Sequence, residues 1–326
     1  MASFLLEVDD VTKVFARGVF RKKATVALDR FALSLPIEPA QVVTIAGESG
    51  SGKTTLARLV LGFIAPTSGR ILYKGQDIHK LSRQEWLIYR REVQAVFQDP
   101  YEVYNPFYKV DHVLTIVIEK FRLARGRAQA QDLIEESLEV VGLQASEILG
   151  KYPHQLSGGQ RQRIMLARAF LLKPRLIVAD EPVSMLDASL RAMVLEIMMR
   201  LKREFGISFL YITHDLSTAY QISDDLVILY QGSIAEKGKV AALIQNPQHP
   251  YTRLLVDSIP IPNPSLKWQS RIELPPEQEL GGSRSRGCKF ADRCPHVMDR
   301  CRQSRPPLIQ VADGQHAACF LYAADR

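Results

Sequence analysis

The sequence predicts an α/β fold built around a parallel sheet, followed by a small module that carries all of the cysteines. Short apolar runs alternate with segments whose apolar side chains recur every three or four positions, which is the pattern of buried strands joined by helices. From about residue 246 prolines become frequent, and the cysteines follow. The chain therefore divides into one large domain and an appended module.

The predicted elements follow in order along the chain. Strands are expected at residues 4–8, 41–46, 71–75, 175–180, 207–213 and 225–230, with a basic loop or hairpin tip between the first two. Helices are expected at residues 56–63, 112–123, 128–141, 160–172 and 188–204. Residues after 246 are expected to form a linker to the cysteine-bearing module.

Composition excludes a disordered chain and a membrane-spanning chain. Of the 326 residues, 46% are hydrophobic and 24% are charged, as in ordinary globular proteins, and no apolar run approaches the roughly 18 residues that cross a bilayer. The net charge of +7 is concentrated at residues 17–23 and 284–305, where basic side chains are not interleaved with aromatics as in a single-strand-binding groove. We therefore expect a cytoplasmic chain with no nucleic-acid partner.

A glycine-rich segment from Gly47 to Thr54 fits the phosphate-binding pattern G-x-x-x-x-G-K-[ST], between a predicted strand and a predicted helix. Glycines let successive backbone N–H groups converge on phosphate oxygens, and the helix that follows adds its N-terminal dipole. Lys53 can reach the terminal phosphates, while the Thr54 hydroxyl can bind Mg²⁺. The residues expected to contact ATP here are Gly47, Glu48, Ser49, Gly50, Ser51, Gly52, Lys53, Thr54 and Thr55.

Two further motifs lie downstream. The apolar strand at 175–180 ends in Asp180, which can hold Mg²⁺, and the next residue, Glu181, is placed to activate water as a general base. Upstream of that strand, the segment LSGGQ at 156–160 opens a helix and offers a second anion-binding helix start. Its Ser157 is also suited to cap that helix. After a phosphate loop, this combination indicates a nucleotide hydrolase.

Together these motifs resemble those of the ATP-binding cassette (ABC) ATPases over about residues 4–245. The resemblance implies an α/β fold with a P-loop NTPase (RecA-like) core of ABC type, an antiparallel β subdomain and a helical subdomain at about 99–170. The cassette would span residues 1–245 and a C-terminal extension residues 246–326. It also implies a dimer that hydrolyses ATP with Mg²⁺ at its interface.

The resemblance assigns a role to each matching residue. Glu181 is similar to the catalytic base, His214 to the switch histidine at the γ-phosphate, and Gln98 to the glutamine that senses Mg²⁺ and water. Phe15 occupies the place of the aromatic that stacks on adenine, with Phe20 as the alternative. The implied Mg²⁺ ligands are Thr54, Gln98 and Asp180. The signature residues, which face the ATP of the opposite cassette, are Leu156, Ser157, Gly158, Gly159 and Gln160. The loop that crosses the dimer interface contains Ser184, Met185, Leu186 and Asp187.

The C-terminal part resembles the oligopeptide/dipeptide importer ATPases, whose His-Pro-Tyr-Thr segment matches residues 249–252. This implies a second, different ATPase subunit, two transmembrane permease subunits, an extracytoplasmic solute-binding protein reached indirectly, and a peripheral position on the cytoplasmic face of the inner membrane. The solute would be an oligopeptide or, in the same group, an oligosaccharide. The aromatic segment 99–109 is expected to receive a permease helix. The alternative is a soluble cassette ATPase of DNA repair or translation.

The cysteines have the spacing C-x5-C-x6-C-x17-C. In a reducing compartment such clustering indicates metal rather than disulfides, but zinc ribbons usually have closer pairs, whereas the spacings of iron–sulfur ligands vary. The resemblance favours a [4Fe–4S] cluster, with Zn²⁺ and free thiols as alternatives, and the centre is expected to lie far from the ATP site. The expected metal ligands are Cys288, Cys294, Cys301 and Cys319.

Overall fold

The structure is a computed structural model that describes residues 3–17, 23–98, 104–259 and 287–323. The described strands are β1 Phe4–Arg17, β2 Lys23–Pro36, β3 Val42–Ala46, β4 Ser68–Tyr73, β5 Gln76–Asp77, β6 Val93–Val96, β7 Leu176–Asp180, β8 Ser208–Thr213, β9 Asp225–Tyr230, β10 Ser233–Lys239, β11 Ile309–Ala312 and β12 Gln315–Ala317. The described helices are α1 Lys53–Val60, α2 Arg83–Glu92, α3 Asp111–Phe121, α4 Arg127–Val140, α5 Ala145–Ile148, α6 Gly158–Phe170, α7 Ala188–Phe205, α8 Leu216–Ile222, α9 Val240–Gln245, α10 Pro250–Asp257 and α11 Asp299–Gln303.

The larger sheet confirms the predicted parallel strands. Its centre has the order β9-β3-β8-β7-β6, and these strands pair in parallel. Strands β3 and β8 are buried along their whole length, as expected for parallel strands covered on both faces. Because parallel strands end at one edge of a sheet, the segments that follow β3, β7 and β8 come together there.

The smaller sheet is antiparallel, with the order β2-β1-β4-β5. Strands β1 and β2 form a long hairpin, so most of the basic segment expected to be a loop is strand. Register shifts interrupt β1 between Val8 and Val14, and they break the alternation of apolar and polar residues by which a strand is recognised. The tip at residues 18–22, with the alternative adenine residue Phe20, lies outside the described residues.

Helices α3 to α6 form a layer with α7 around a shared apolar core. Leu114, Leu138 and Ile164 are fully buried in it. The helices predicted for this layer agree with α3, α4, α6 and α7 to within two residues, since three-and-four periodicity marks these amphipathic helices clearly. The helix predicted at 56–63 is placed three residues too late, because α1 already begins at Lys53. Within the described residues, no helix is both long and apolar enough to span a bilayer.

The C-terminal residues pack directly against the larger sheet. Strand β12 pairs with β10, and β11 pairs with β12, so the module extends the antiparallel edge of that sheet. The fully buried carboxylate of Glu236 in β10 accepts hydrogen bonds from the backbone N–H of His249 at 2.8 Å and from Nε2 of Gln315 at 2.6 Å. The part of the expected linker at residues 260–286 lies outside the described residues.

Candidate active site

The phosphate-binding loop joins β3 to α1, and two of its glycines are required by close backbone packing. A Cβ atom on Gly47 would lie 2.2 Å from the carbonyl oxygen of Leu229, and one on Gly52 would lie 2.3 Å from that of Ala27. Both glycines also have positive φ angles, 151° and 107°, which other residues rarely adopt. The loop is therefore wedged between β9 and β2, with the N-terminus of α1 at its end.

Lys53 lies beneath this loop and is almost completely buried. Its Nζ donates hydrogen bonds to the carbonyl oxygens of Gly47 at 2.6 Å and Glu48 at 2.8 Å. Burial lowers the pKa of Lys53, and the nearby carboxylates of Glu181, Asp180 and Glu48 oppose that shift. The ammonium group is thus held at the loop by backbone oxygens and surrounding negative charge.

Thr54 and Asp180 bring two hard oxygen ligands together at the start of α1. The Thr54 side chain hydrogen-bonds to the Asp180 carboxylate, and burial raises the pKa of that carboxylate although this bond and Lys53 act in the opposite direction. Hydroxyl and carboxylate oxygens are the ligands that Mg²⁺ prefers. These residues therefore fit a magnesium ion beside the phosphate loop.

Glu181 and His214 face each other at the ends of neighbouring strands. Nδ1 of His214 lies 3.0 Å from Oε1 of Glu181. Glu181 has a positive φ of 48°, and its backbone N–H donates to the carbonyl of Ile212 at 2.9 Å. A non-glycine residue held in this conformation is typical of functional sites. Glu181, Lys53 and Asp180 are close enough to interact electrostatically, so a carboxylate of the kind that can act as a general base lies beside the candidate phosphate and metal groups.

The signature segment opens α6 with a reciprocal capping box. The Ser157 hydroxyl accepts from the backbone N–H of Gln160 at 3.2 Å, and the Gln160 side chain accepts from the Ser157 N–H at 2.9 Å. A Cβ atom on Gly159 would lie only 3.1 Å from Leu190 of α7, which favours glycine there. The predicted capping role of Ser157 is therefore confirmed.

Gln98, the signature and the interface loop line one cavity. Gln98 shares this cavity with Ser157, Gly158, Leu186 and Asp187. Leu156, the first residue of the signature, is buried. Ser184 belongs to the turn that follows Glu181, since its hydroxyl donates to the Glu181 carbonyl at 3.1 Å. The sequence thus separates these motifs widely, and the fold brings three of them to one surface.

Phe15 lies apart from these groups on the antiparallel sheet. It is in β1, 42% exposed, and the Lys13 ammonium lies 5.1 Å from its ring centroid. An exposed ring on this sheet is available for stacking by a flat ligand.

The segment 99–109, which was expected to receive a permease helix, contains both buried and exposed aromatic side chains among its described residues. Tyr104 is buried and donates to the Arg161 carbonyl, contrary to its expected surface role, whereas Phe107 is 86% exposed; residues 99–103 lie outside the described residues.

The cysteines line one small cavity together with His249 and Phe290. Backbone hydrogen bonds from Phe290, His296 and Leu321 reach the sulfur atoms of Cys288, Cys294 and Cys319, respectively. Burial, together with the other three cysteines, raises the pKa of the Cys288 thiol to about 11, although the backbone hydrogen bond from Phe290 acts in the opposite direction. Even so, no three His, Cys, Asp or Glu side chains within the described ranges stand in an arrangement that could hold a metal ion.

The expectation that the cysteine module lies far from the phosphate loop is wrong. Arg293, which directly precedes Cys294, forms two hydrogen bonds of 2.9 Å with the carboxylate of Glu48 in the loop. In addition, the backbone N–H of Glu48 donates to the hydroxyl of Tyr251 at 2.9 Å. In the sequence, Arg293 is only one of several basic residues of the segment 284–305, and the His-Pro-Tyr segment is only a family marker. No periodicity or spacing signals a contact between residues so far apart.

Comparison with known proteins places these features in a family. The model of the family described as "ABC transporter" matches residues 31–184, and that described as "Oligopeptide/dipeptide transporter, C-terminal region" matches residues 235–301. The chain is 40% identical over 327 residues to a probable peptide ABC transporter ATP-binding protein, y4tS, of Sinorhizobium fredii, covering 99% of this chain and 91% of the relative. It is also 40% identical over 307 residues to the dipeptide transport ATP-binding protein DppF of Haemophilus influenzae, covering 93% and 92%.

A solved structure agrees with the fold. The ATP-binding cassette MJ0796, in a dimeric post-hydrolysis state bound to ADP and Pi, matches with a TM-score of 0.62 and 27% identity, over 72% of this chain and 98% of that one. The fold and the site define a P-loop ATPase of cassette type with an antiparallel β subdomain and a helical subdomain. The chain belongs to the ABC transporter family, as an ATP-hydrolysing subunit of the oligopeptide/dipeptide group.

Proposed function

We propose that this chain binds Mg-ATP at the interface of a cassette dimer and uses its hydrolysis to drive the import of short peptides. The observation that carries the proposal is the group at the end of the larger sheet, where Lys53, Asp180, Glu181 and His214 surround one loop. The peptide transport named for the relatives supports the solute class. Oligosaccharides are the second candidate solute, and the relatives favour an importer over a soluble repair or translation ATPase.

In this proposal the side chains have separate tasks. Lys53 and backbone N–H groups between Ser49 and Thr55 hold the phosphates, Gly47 and Glu48 shape the start of the loop, and Phe15 stacks on the adenine. Thr54, Asp180 and Gln98 hold the magnesium ion. Glu181 accepts the proton of the attacking water, and His214 positions Glu181 and contacts the γ-phosphate.

A second cassette completes the site. The signature from Leu156 to Gln160 presents a helix N-terminus, which favours negative charge, and the loop from Ser184 to Asp187 lies beside it. We infer that both face the ATP of a second, different ATPase subunit. The dimeric state of MJ0796 supports this arrangement. The proposed division of the chain is a cassette at 1–245, with a helical subdomain at about 99–170, and an extension at 246–326.

The proposed complex lies at the cytoplasmic face of the inner membrane. One of the two permease subunits would contact the exposed aromatic surface at Phe107 and Tyr108, because exposed aromatics are enriched in protein interfaces. A solute-binding protein outside the cytoplasm would deliver the peptide, so this chain would not touch it.

We further propose that the cysteines hold a [4Fe–4S] cluster. The chemistry of the donors supports this, because four thiols share one cavity and three of them accept backbone hydrogen bonds that oppose the rise in thiol pKa caused by burial. Zinc, which needs all thiolates about 2.3 Å from one point, remains the alternative, because within the described residues no three such side chains are arranged to hold an ion of either kind. A cluster, when bound, would supply four iron sites for the thiolates of Cys288, Cys294, Cys301 and Cys319.

The test of the solute class is reconstitution. The chain would be produced with candidate permease, ATPase and solute-binding proteins from the same genome, and the complex placed in liposomes with internal ATP. Uptake of radiolabelled di- to pentapeptides, but not of oligosaccharides of similar mass, is expected. Uptake of the oligosaccharides alone would overturn the peptide assignment, and ATP hydrolysis without uptake of either would overturn import.

A further inference from the structure

Glu48, the second residue of the phosphate-binding loop, is bound by side chains of the C-terminal module. The two terminal nitrogens of Arg293 each lie 2.9 Å from one carboxylate oxygen of Glu48. This is the bidentate geometry in which arginine binds carboxylates most strongly. The residues are 245 positions apart in the sequence, so the contact ties the end of the chain to the loop near its beginning.

The surroundings of Arg293 strengthen this pair. The Arg293 side chain is only 10% exposed, and its guanidinium carbon lies 5.8 Å from the ring centroid of Tyr230 and 5.6 Å from that of Phe290. Aromatic faces attract a guanidinium, and a partly buried pair is screened less by water than an exposed one. Lysine has no planar fork with which to replace these contacts.

Every polar group of Glu48 has a partner in the structure. Tyr251, which is fully buried, accepts the Glu48 N–H through its hydroxyl. Lys53 donates to the Glu48 carbonyl, and Arg293 donates to both oxygens of the Glu48 carboxylate. The same Lys53 also holds the Gly47 carbonyl. The first turn of the loop is therefore fixed between the catalytic lysine on one side and the C-terminal module on the other.

The two module residues are themselves rigidly placed. Tyr230, Tyr251 and Phe290 pack together, with ring centroids 4.5 to 5.5 Å apart. His249 caps α10 by accepting the Tyr251 N–H at 3.0 Å, and Arg293 is the last residue of a short 3-10 turn, Ala291–Arg293, that starts just after Phe290. The cysteine cavity borders the same turn. Movement of the module would thus be transmitted to Glu48 through two side chains.

We propose that Arg293 and Tyr251 are positioning residues for ATP: the C-terminal module holds Glu48, and with it the phosphate-binding loop, in the shape that receives the nucleotide. The proposal rests on the ATP-binding role of the loop. Neither residue contacts the phosphates in this account, so both act on the affinity for ATP rather than on the chemical step.

The test measures ATP affinity and turnover separately. Arg293→Ala in the full chain is expected to weaken ATP binding by about 3- to 30-fold, the range typical of residues that act through a neighbour. The dissociation constant would be measured with a fluorescent ATP analogue in the purified chain. In the assembled transporter, KM for ATP should rise by a similar factor while kcat at saturating ATP is retained.

Matched variants separate positioning from general damage. Arg302→Ala removes an exposed arginine of the same module, which pairs with Asp292, and should bind ATP as the wild type does. Arg293→Lys should restore binding only in part. Because both residues act through one contact, Arg293→Ala combined with Glu48→Ala should bind ATP no more weakly than Glu48→Ala alone. Tyr251→Phe removes one oxygen atom and serves where Arg293→Ala does not fold.

The outcomes distinguish this proposal from the proposed function. A wild-type chain that does not bind ATP would overturn both. Wild-type affinity in Arg293→Ala and Tyr251→Phe, in a chain that does bind ATP, would overturn the positioning role alone. A loss of kcat without a change in ATP affinity would also overturn it.

Discussion

Oε1 of Glu181 lies 3.0 Å from Nδ1 of His214, and each residue directly follows a parallel strand of the larger sheet. The Glu181 side chain is 17% exposed, and that of His214 is 57% exposed. The pair therefore sits at the mouth of the site, where a water molecule has access to the carboxylate. This relationship is the centre of the proposed hydrolytic mechanism.

Lys53→Ala should weaken nucleotide binding. The ammonium group would be lost from a buried position beneath the loop, and hydrogen bonds to charged groups contribute about 1.5–3 kcal/mol, or about 10- to 100-fold in affinity. Equilibrium titration with an ATP analogue checks this. Lys80→Ala changes an exposed lysine that pairs with Asp77 and is the control, and equal affinity of the two variants would contradict the role of Lys53.

Ser157→Ala should lose both stability and activity. Removing the cap of α6 is expected to cost about 1 kcal/mol in the free energy of unfolding, measured by urea denaturation. Ser82 forms the same capping box at the start of α2, so Ser82→Ala should lose similar stability but keep ATP hydrolysis in the assembled complex. If both variants hydrolyse ATP equally, the signature serine acts only as a cap.

Phe107→Ala should uncouple the ATPase from the permease. The ring is 86% exposed, and an aromatic anchor of an interface typically contributes 2 kcal/mol or more, about 30-fold in association. ATP binding by the isolated chain should not change. Tyr220→Ala, on the exposed face of α8, provides the comparison. Undiminished co-purification of the permease with the Phe107 variant would remove this surface from the coupling account.

Anaerobic purification should yield a brown protein with near-stoichiometric iron and acid-labile sulfide. Cys301→Ser should lose the colour and the iron, because a ligand of the proposed cluster is gone. Metal analysis and absorption spectroscopy measure both. A colourless wild-type protein with one zinc ion per chain would overturn the cluster assignment but retain the four cysteines as metal ligands. A metal-free protein would show that the cysteines are free thiols.

The sequence predicts the local parts of this structure well and the distant contacts poorly. The phosphate loop and the helices α3, α4 and α7 are recognisable because spacing and periodicity are local properties. Strand β1 was placed only as far as Val8, since register shifts interrupt its alternation beyond that point. Tyr104 was expected at the surface, but it is buried through a hydrogen bond to a helix more than fifty residues away. The Arg293–Glu48 pair depends on how the module docks, which no local pattern encodes.

Glu181→Gln in the assembled transporter tests the central claim most directly. The amide keeps the size of the side chain but cannot accept the proton of water, so ATP binding should persist while turnover falls by about 10²- to 10⁴-fold, the usual contribution of a general base. Steady-state ATP hydrolysis and ATP-analogue titration would be measured on the same preparation. Hydrolysis at the wild-type rate by this variant would contradict the account and show that another group activates the water.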